Sequence, residues 1–304
     1  MSVVLVTGGS GMLGTDLLEV LRMRGFVVQA PSSQELDITN PESVAGIAVE
    51  RWGTVDWLIN CAAYTAVDKA ETEPEQAAAL NTLGPAFLAQ ACALKGIRFL
   101  HVSTDFVFDG AGVGPYREEA PTLPLGVYGR TKRDGEEGVL AHAPQSVIVR
   151  TAWLYGAHGQ CFPKTMIRAW LAGRALRVVG DQIGNPTHTF ELARVLAEIV
   201  ETRLDGGIYH AAGPSAMSWH RLALDALEVF HEVTGVAPHP IAIESIVTAD
   251  WPTPAQRPAN STLDFSKLAG HGITPMEPVR EGLRNFVVRW IETDEAIRSL
   301  AEVR

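Results

Sequence analysis

Val3-Val4-Leu5-Val6-Thr7-Gly8-Gly9-Ser10-Gly11-Met12-Leu13-Gly14 is the stretch that decides the fold. A short apolar run meets glycines at 8, 11 and 14. Met12–Arg24 follows, with Leu13, Leu17, Leu18 and Leu21 at helical spacing. A strand that turns on glycines into a helix is the context in which such a loop holds a dinucleotide pyrophosphate. Gly8 permits the tight turn, Gly11 lets backbone approach the phosphates, and Gly14 lets helix and strand pack closely. The helix N-terminus adds unsatisfied N–H groups and about half a positive charge. Gly8, Gly11, Met12, Leu13 and Gly14 are therefore candidate cofactor-binding residues.

The same alternation continues outward. Phe26–Gln29, Val55–Asn60, Ile97–Ser103 and Ser146–Arg150 read as further short buried strands. Asn40-Pro41-Glu42 has an N-cap, first-turn proline and first-turn acid, opening a helix to about Trp52. Glu73–Leu94 and Tyr128–Leu140 read as helices. Strand and helix in this rhythm imply an α/β, Rossmann-type doubly wound parallel sheet with ligands at the carboxyl ends of the strands. The expected division is a dinucleotide-binding domain over 1–153 and a smaller, mainly substrate-binding C-terminal lobe over 154–304. Segments within 174–212, at Gly173–Gly180 and Gly207–Ala211, are candidates to return to the sheet. Phe190–Glu201, Trp219–Val233 and Pro278–Glu292 read as helices of the second half.

Composition narrows the function classes. The 304 residues are 46% apolar and 20% charged, with a net charge of −10 and no basic block. This argues against a nucleic-acid partner, which needs clustered Lys and Arg. No apolar run reads as long enough to cross a bilayer. The first residues read as a buried strand and not as a signal peptide. Cys61, Cys92 and Cys161 show no metal spacing and suit reduced thiols in a cytoplasm.

The loops after the strands carry the chemistry. Small Ala62 and Ala63, with Tyr64, would let backbone lie against a cofactor, or simply pack tightly. Asp37 and Ile38 would cap an adenine pocket, or end a turn. The second strand runs out in Val28-Gln29-Ala30-Pro31-Ser32-Ser33, without an acid. That removes a repulsion against a 2′-phosphate and leans toward NADPH over NADH, with both open. Asn81 is a poor helix former inside a long helix, either a surface residue or a support for a neighbouring strand or water. Tyr128 and Lys132 lie four apart on one helix face. A phenol titrates near about 10, and a neighbouring ammonium should lower that value. Ser103-Thr104-Asp105 ends a buried strand on the same side. Thr104 is placed to bond a substrate oxygen and the Tyr128 hydroxyl, and Ser103 to face the cofactor. Asp105 binds a sugar hydroxyl or caps a turn. Trp153 offers a flat wall for a sugar or base, or fills the core. Arg257 meets a diphosphate, or forms a surface ion pair.

The glycine opening, Ser103-Thr104-Asp105 and Tyr128-x-x-x-Lys132 resemble the extended short-chain dehydrogenase/reductase superfamily. Further runs are similar to its dTDP-4-dehydrorhamnose reductase family. They are Ala63-Tyr64-Thr65-Ala66-Val67-Asp68-Lys69-Ala70-Glu71, Phe106-Val107-Phe108-Asp109-Gly110, Val179-Gly180-Asp181-Gln182-Ile183-Gly184-Asn185-Pro186-Thr187 and Arg257-Pro258-Ala259-Asn260-Ser261. Phe106 departs from the family's usual tyrosine. The resemblance implies NADPH- or NADH-dependent reduction of the 4-keto group of a nucleotide-linked 6-deoxyhexose. It implies Thr104, Tyr128 and Lys132 as the catalytic trio, and Thr104, Asp105 and Trp153 against substrate. It also raises a homodimer bridged by magnesium, for which the sequence offers no ligand cluster. Rival readings are a dehydratase, which would carry a second acid where Phe106 stands, an epimerase, and a non-catalytic regulatory subunit on the same fold.

Overall fold

The computed structural model describes residues 2–46 and 52–302. β1 (Val3–Thr7), β2 (Val27–Gln29), β3 (Trp57–Asn60), β4 (Arg98–Thr104), β5 (Val147–Thr151) and a sixth strand at Gly207–His210 form one sheet. Its order is sixth-β5-β4-β3-β1-β2, and every neighbouring pair is parallel. Successive side chains point to opposite faces, and both faces are covered. On one, Val4 and Val6 meet Leu13, Leu17 and Leu21 of helix α1 (Met12–Met23), and Leu192, Leu196 and Val200 of the Thr189–Thr202 helix. On the other, Leu5, Leu58 and Ile148 meet Leu88, Ala89, Cys92 and Val139. Burial on both sides is why these strands read as continuous apolar runs. From β1 the chain crosses outward to β2, and from β3 it proceeds the other way to β4. The carboxyl ends of β1 and β3 therefore flank the point where the winding reverses.

Asn40 caps the Pro41–Ala45 helix, its side chain accepting from the N–H groups of Glu42 and Ser43. Most of the rest of the expected run to Trp52 lies outside the described residues. The expected single helix over 73–94 is interrupted. Pro74–Ala78 is α-helical, Ala79–Leu83 is a π-helical turn, and Gly84–Lys95 is α-helical again. By length and composition, Pro74–Lys95 is apolar enough to cross a bilayer, contrary to the sequence expectation. In the fold its Ala77, Leu88, Ala89 and Cys92 are spent on the protein interior.

Of the two segments expected to return to the sheet, Gly207–His210 pairs with β5. Leu176–Val179 instead pairs in parallel with Ile243–Ile246, away from the sheet. A second core gathers Tyr155, Ile167, Trp170, Leu227, Phe230, Phe286 and Trp290. Backbone hydrogen bonds stitch the loop after β4 to the 259–264 strap. Tyr116 N–H donates to Thr262 O (2.7 Å), Asp264 N–H to Tyr116 O (2.8 Å) and Asn260 N–H to Gly110 O (3.3 Å). Gly110 sits at φ +76, and a Cβ there would lie 2.5 Å from the Pro258 side chain.

Candidate functional site

The glycine turn lies at the winding reversal. Gly8 has φ +72, and a Cβ on it would come within 2.5 Å of the Ala62 nitrogen. A Cβ on Gly14 would come within 2.1 Å of the Gly8 oxygen, so α1 packs directly on the turn. Gly11 caps α1 without any side-chain hydrogen bond, leaving the first N–H groups of the helix without a side-chain partner. This is a backbone cradle of the kind an anionic phosphate fits. It opens into a cleft of about 1040 Å³. Gly8, Gly11, Met12, Leu13, Gly14, Ala62, Ala63, Ser103, Thr104, Asp105, Tyr128, Lys132, Trp153 and Arg257 all line it.

Asp37, Ile38 and Tyr64 are not brought to that cleft. Asp37 is exposed and accepts from its own turn at Thr39 N–H (2.9 Å) and Oγ1 (2.7 Å). Ile38 is buried against Gly84. Tyr64 donates its hydroxyl to Glu73 (2.5 Å), a bond that pushes the phenol up to about 12. The loop after β2 does receive a carboxylate. Glu35 folds back to accept from Ser32 N–H (3.0 Å) and Oγ (3.1 Å).

The Val127–His142 helix presents Tyr128 to the cleft from one side, and β4 presents Thr104 from the other. Thr104 is close enough to bear on the Tyr128 phenol. Thr104 Oγ1 also lies 3.0 Å from Asp105 Oδ1 and accepts from Phe106 N–H (3.2 Å). The Phe106 ring meets Tyr128 edge-on at 5.5 Å. The expectation that Lys132 acidifies Tyr128 is not met here. Burial pushes the phenol up to about 12, with Thr104 working against it and Asp105 with it. The reason is geometric, because the ammonium is turned inward. Lys132 Nζ donates to Val102 O (2.7 Å) and lies 3.3 Å from His101 Nε2. Burial brings Lys132 down to about 8, against the pull of Glu136. Asp105 is driven up to about 6 by burial, against the pull of Ser261 and Thr104, and among the described residues nothing meets its Oδ2 in hydrogen-bond geometry.

Asn81 is fully buried in the π-helical turn. It accepts from Tyr64 N–H (2.8 Å) and donates to Tyr64 O (3.0 Å) and Thr131 Oγ1 (3.2 Å). It thus pins the loop after β3 to the helix that carries Tyr128 and Lys132. A π turn re-aims side chains in this way near many functional sites. Beneath Lys132, Glu136 pairs bidentately with Arg150 (3.0 and 2.7 Å), and Ser103 donates to the same carboxylate (2.5 Å).

Trp153 has φ +45 and its indole lies flat on Trp219, centroids 3.5 Å apart and planes 6° apart. Gly184 makes room, since a Cβ there would lie 2.4 Å from the Trp153 ring. Arg257 is engaged in a bidentate pair with Asp68 (2.6 and 2.7 Å) at the cleft wall. Its bond holds the Asp68 carboxyl below its usual range. Arg177, Gln182, Trp219 and Trp251 also line the cleft and were not named as site residues from sequence. Gln182 lies in a run that carried the family likeness and Trp219 opens the expected 219–233 helix, but neither pattern tells which side chain meets a ligand.

Among the described residues, Asp16, Glu19 and His158 are grouped as metal ligands would be. Arg289 already fills that group, 3.2 Å from Asp16 and 2.6 Å from Glu19, and Thr189 donates to Asp16 (2.5 Å). A guanidinium in that position does not fit a divalent cation as well.

Residues 1–291 match the family model of the RmlD substrate binding domain. A dTDP-4-dehydrorhamnose reductase of Streptomyces griseus is 43% identical over 92% of this chain and 91% of its own. A probable dTDP-4,6-dihydroxy-2-methyloxan-3-one 4-ketoreductase of Streptomyces antibioticus is 40% identical over 92% of each chain. Among solved structures, the dTDP-4-dehydrorhamnose reductase of Bacillus anthracis, in complex with NADP, superposes with a TM-score of 0.87 at 32% identity. That alignment covers 95% of this chain and 99% of the other. With the fold, the cleft and a match spanning nearly its whole length, the chain belongs to the dTDP-4-dehydrorhamnose reductase family.

Proposed function

We propose that the chain reduces the 4-keto group of a nucleotide-linked 6-deoxyhexose, dTDP-4-dehydro-L-rhamnose, to the alcohol. The observation that carries this is the meeting of Thr104, Tyr128 and Lys132 with the glycine cradle in one cleft. The substrate class comes from the family and from its relatives' names. A bound NADPH or NADH supplies the hydride. The cradle of Gly8, Gly11 and Gly14, with Ala62 opposite, holds the cofactor's pyrophosphate. Tyr128 donates a proton to the nascent alkoxide, and Thr104 polarises the carbonyl. A phenol held near about 12 suits this direction, because the donor must stay protonated at neutral pH. Lys132 and Ser103 border the same cleft and are assigned to the cofactor, with Lys132 Nζ drawn inward by Val102 and Ser103 Oγ by Glu136. Asp105 offers its unpartnered Oδ2 to a sugar hydroxyl. The Trp153–Trp219 stack forms the apolar wall, and Arg257, at the cleft wall, would meet the diphosphate by exchanging its Asp68 partner. The three free thiols fit a cytoplasmic enzyme.

The test is oxidation of NADPH or NADH against a panel of 4-keto nucleotide sugars, followed by loss of the reduced ring's absorbance. Turnover is expected with the dTDP-linked 6-deoxy-4-ketohexose. No turnover with any member, together with a stoichiometric protein partner, would select the regulatory-subunit reading instead. Turnover with a different 4-keto deoxysugar would select the Streptomyces antibioticus type of specificity.

A further inference from the structure

Behind Lys132 lies a closed chain of polar groups that the reaction does not use directly. Thr7 and Asn60 end β1 and β3, and His101 stands midway along β4. They stand side by side, Thr7 opposite Asn60 and Asn60 opposite His101. Each is at most 3% exposed. Thr7 Oγ1 donates to Asn60 Oδ1 (2.6 Å), and the Ala62 N–H donates to the same oxygen (3.1 Å). The Asn60 amide nitrogen therefore faces His101 Nδ1, at 3.0 Å. A ring nitrogen that receives an N–H must be bare, so the neutral imidazole carries its proton on Nε2. Nε2 in turn lies 3.3 Å from Lys132 Nζ.

Pointed at an ammonium, that Nε2–H meets only other donors. Pointed at a neutral amine, it meets a lone pair. The whole chain is paired only when Lys132 is uncharged. Other groups also bear on the lysine. Glu136 faces it from its own helix, tied to Arg150, and Cys61 from the loop after β3. Neither offers Nζ a hydrogen bond; Val102 O and His101 do. His101 for its part feels the Lys132 charge, and burial keeps its ring neutral.

We propose that His101 is a positioning residue for Lys132, held by Asn60 with Nε2–H toward Nζ, and that this contact sets the pH at which the lysine releases its proton. Its consequence for catalysis rests on the reductase reading above. After Tyr128 has given its proton to the alkoxide, the Lys132 ammonium, which borders the same cleft, returns one to the phenolate through cleft water. The resulting amine accepts from His101 Nε2–H, and water of the cleft reprotonates it. A lysine titrating at about 8 can cycle in this way near neutrality.

The experiment titrates the Lys132 side chain by NMR in ¹³C-lysine-labelled protein. Lys132 is one of five lysines, and Lys132→Met identifies its signal. His101→Met keeps bulk and removes the N–H. It is expected to raise the midpoint by about one pH unit, the scale of a single hydrogen bond. His101→Gln can accept from Asn60 and still donate to Nζ, and should titrate as the native protein does. An unmoved midpoint in His101→Met overturns the proposal, as does a His101→Gln midpoint displaced equally far. In the native protein, ¹⁵N spectra should show His101 protonated on Nε2 alone, and the reverse tautomer overturns the proposal even where a variant fails to fold. None of these readings uses turnover. An inactive protein with the expected titration would count against the reductase reading and leave the His101–Lys132 pairing standing.

Discussion

Replacing Arg150 with methionine tests how the site is underpinned. Arg150 is 2% exposed and Glu136 3%, and the guanidinium grips the carboxylate through two nitrogens. Arg150 also donates to Glu118 O (3.2 Å) and lies over the Phe108 ring (5.1 Å). Methionine retains the packing and removes the charge. Glu136 would be left in the interior with Ser103 as its remaining close donor. Breaking a buried pair from one side costs about 3–5 kcal/mol, because the stranded charge has no water. At roughly 2–4 °C per kcal/mol for a protein somewhat smaller than this, the melting temperature should fall by about 6–20 °C. The double variant Glu136→Leu/Arg150→Met strands no charge and should recover at least half of the loss. Urea unfolding followed by tryptophan fluorescence measures both. A single variant within about 1 kcal/mol of the native protein, the level of an exposed ion pair, would refute the reasoning.

Three further outcomes follow from the site. Tyr128→Phe should lower kcat by about 10²–10⁴ with the cofactor dissociation constant little changed, and near-native turnover removes Tyr128 from the proton-donor role. Gly14→Ala drives a Cβ to 2.1 Å from the Gly8 oxygen. It should weaken cofactor binding by about 1–3 kcal/mol, measured by quenching of intrinsic fluorescence, and full-strength binding would show that the turn tolerates displacement. Asp105 titrates at about 6, raised by burial, so its carboxylate is charged above that pH and lost below it. The KM for the sugar substrate should rise as pH falls through about 6. Asp105→Asn should abolish that inflection, and an inflection that survives belongs to another group.

The sheet was legible because burial on both faces writes strands as unbroken apolar runs, and the glycine turn is set by clashes that no other residue escapes. Tyr128 and Lys132 were legible by helical spacing. What spacing does not carry is direction. Lys132 points inward to Val102 and His101, so its expected effect on the phenol is missing. The π turn at Ala79–Leu83 left an alanine- and leucine-rich segment that reads as plain helix. Its one sign is Asn81, a residue that a buried helix takes on only for a partner. Asp37 and Ile38 stand outside the cleft lining because a turn and a core contact satisfy them locally. Trp251 comes from a proline-marked loop that gives no period to read, and Trp219 opens a helix whose spacing does not say that its first residue stacks on Trp153.

The stitching between the loop after β4 and the 259–264 strap limits how the chain can be taken apart. A fragment ending at residue 153 would lose the Thr189–Thr202 helix. Leu13, Leu17 and Leu21 would then be bared to water, and the Tyr116 loop would lose its backbone partners. Exchanging C-terminal portions between relatives therefore disturbs the six-stranded sheet and the helices that cover it as well. A chimera will succeed only where its crossover carries the strap and that helix along with the loops they support.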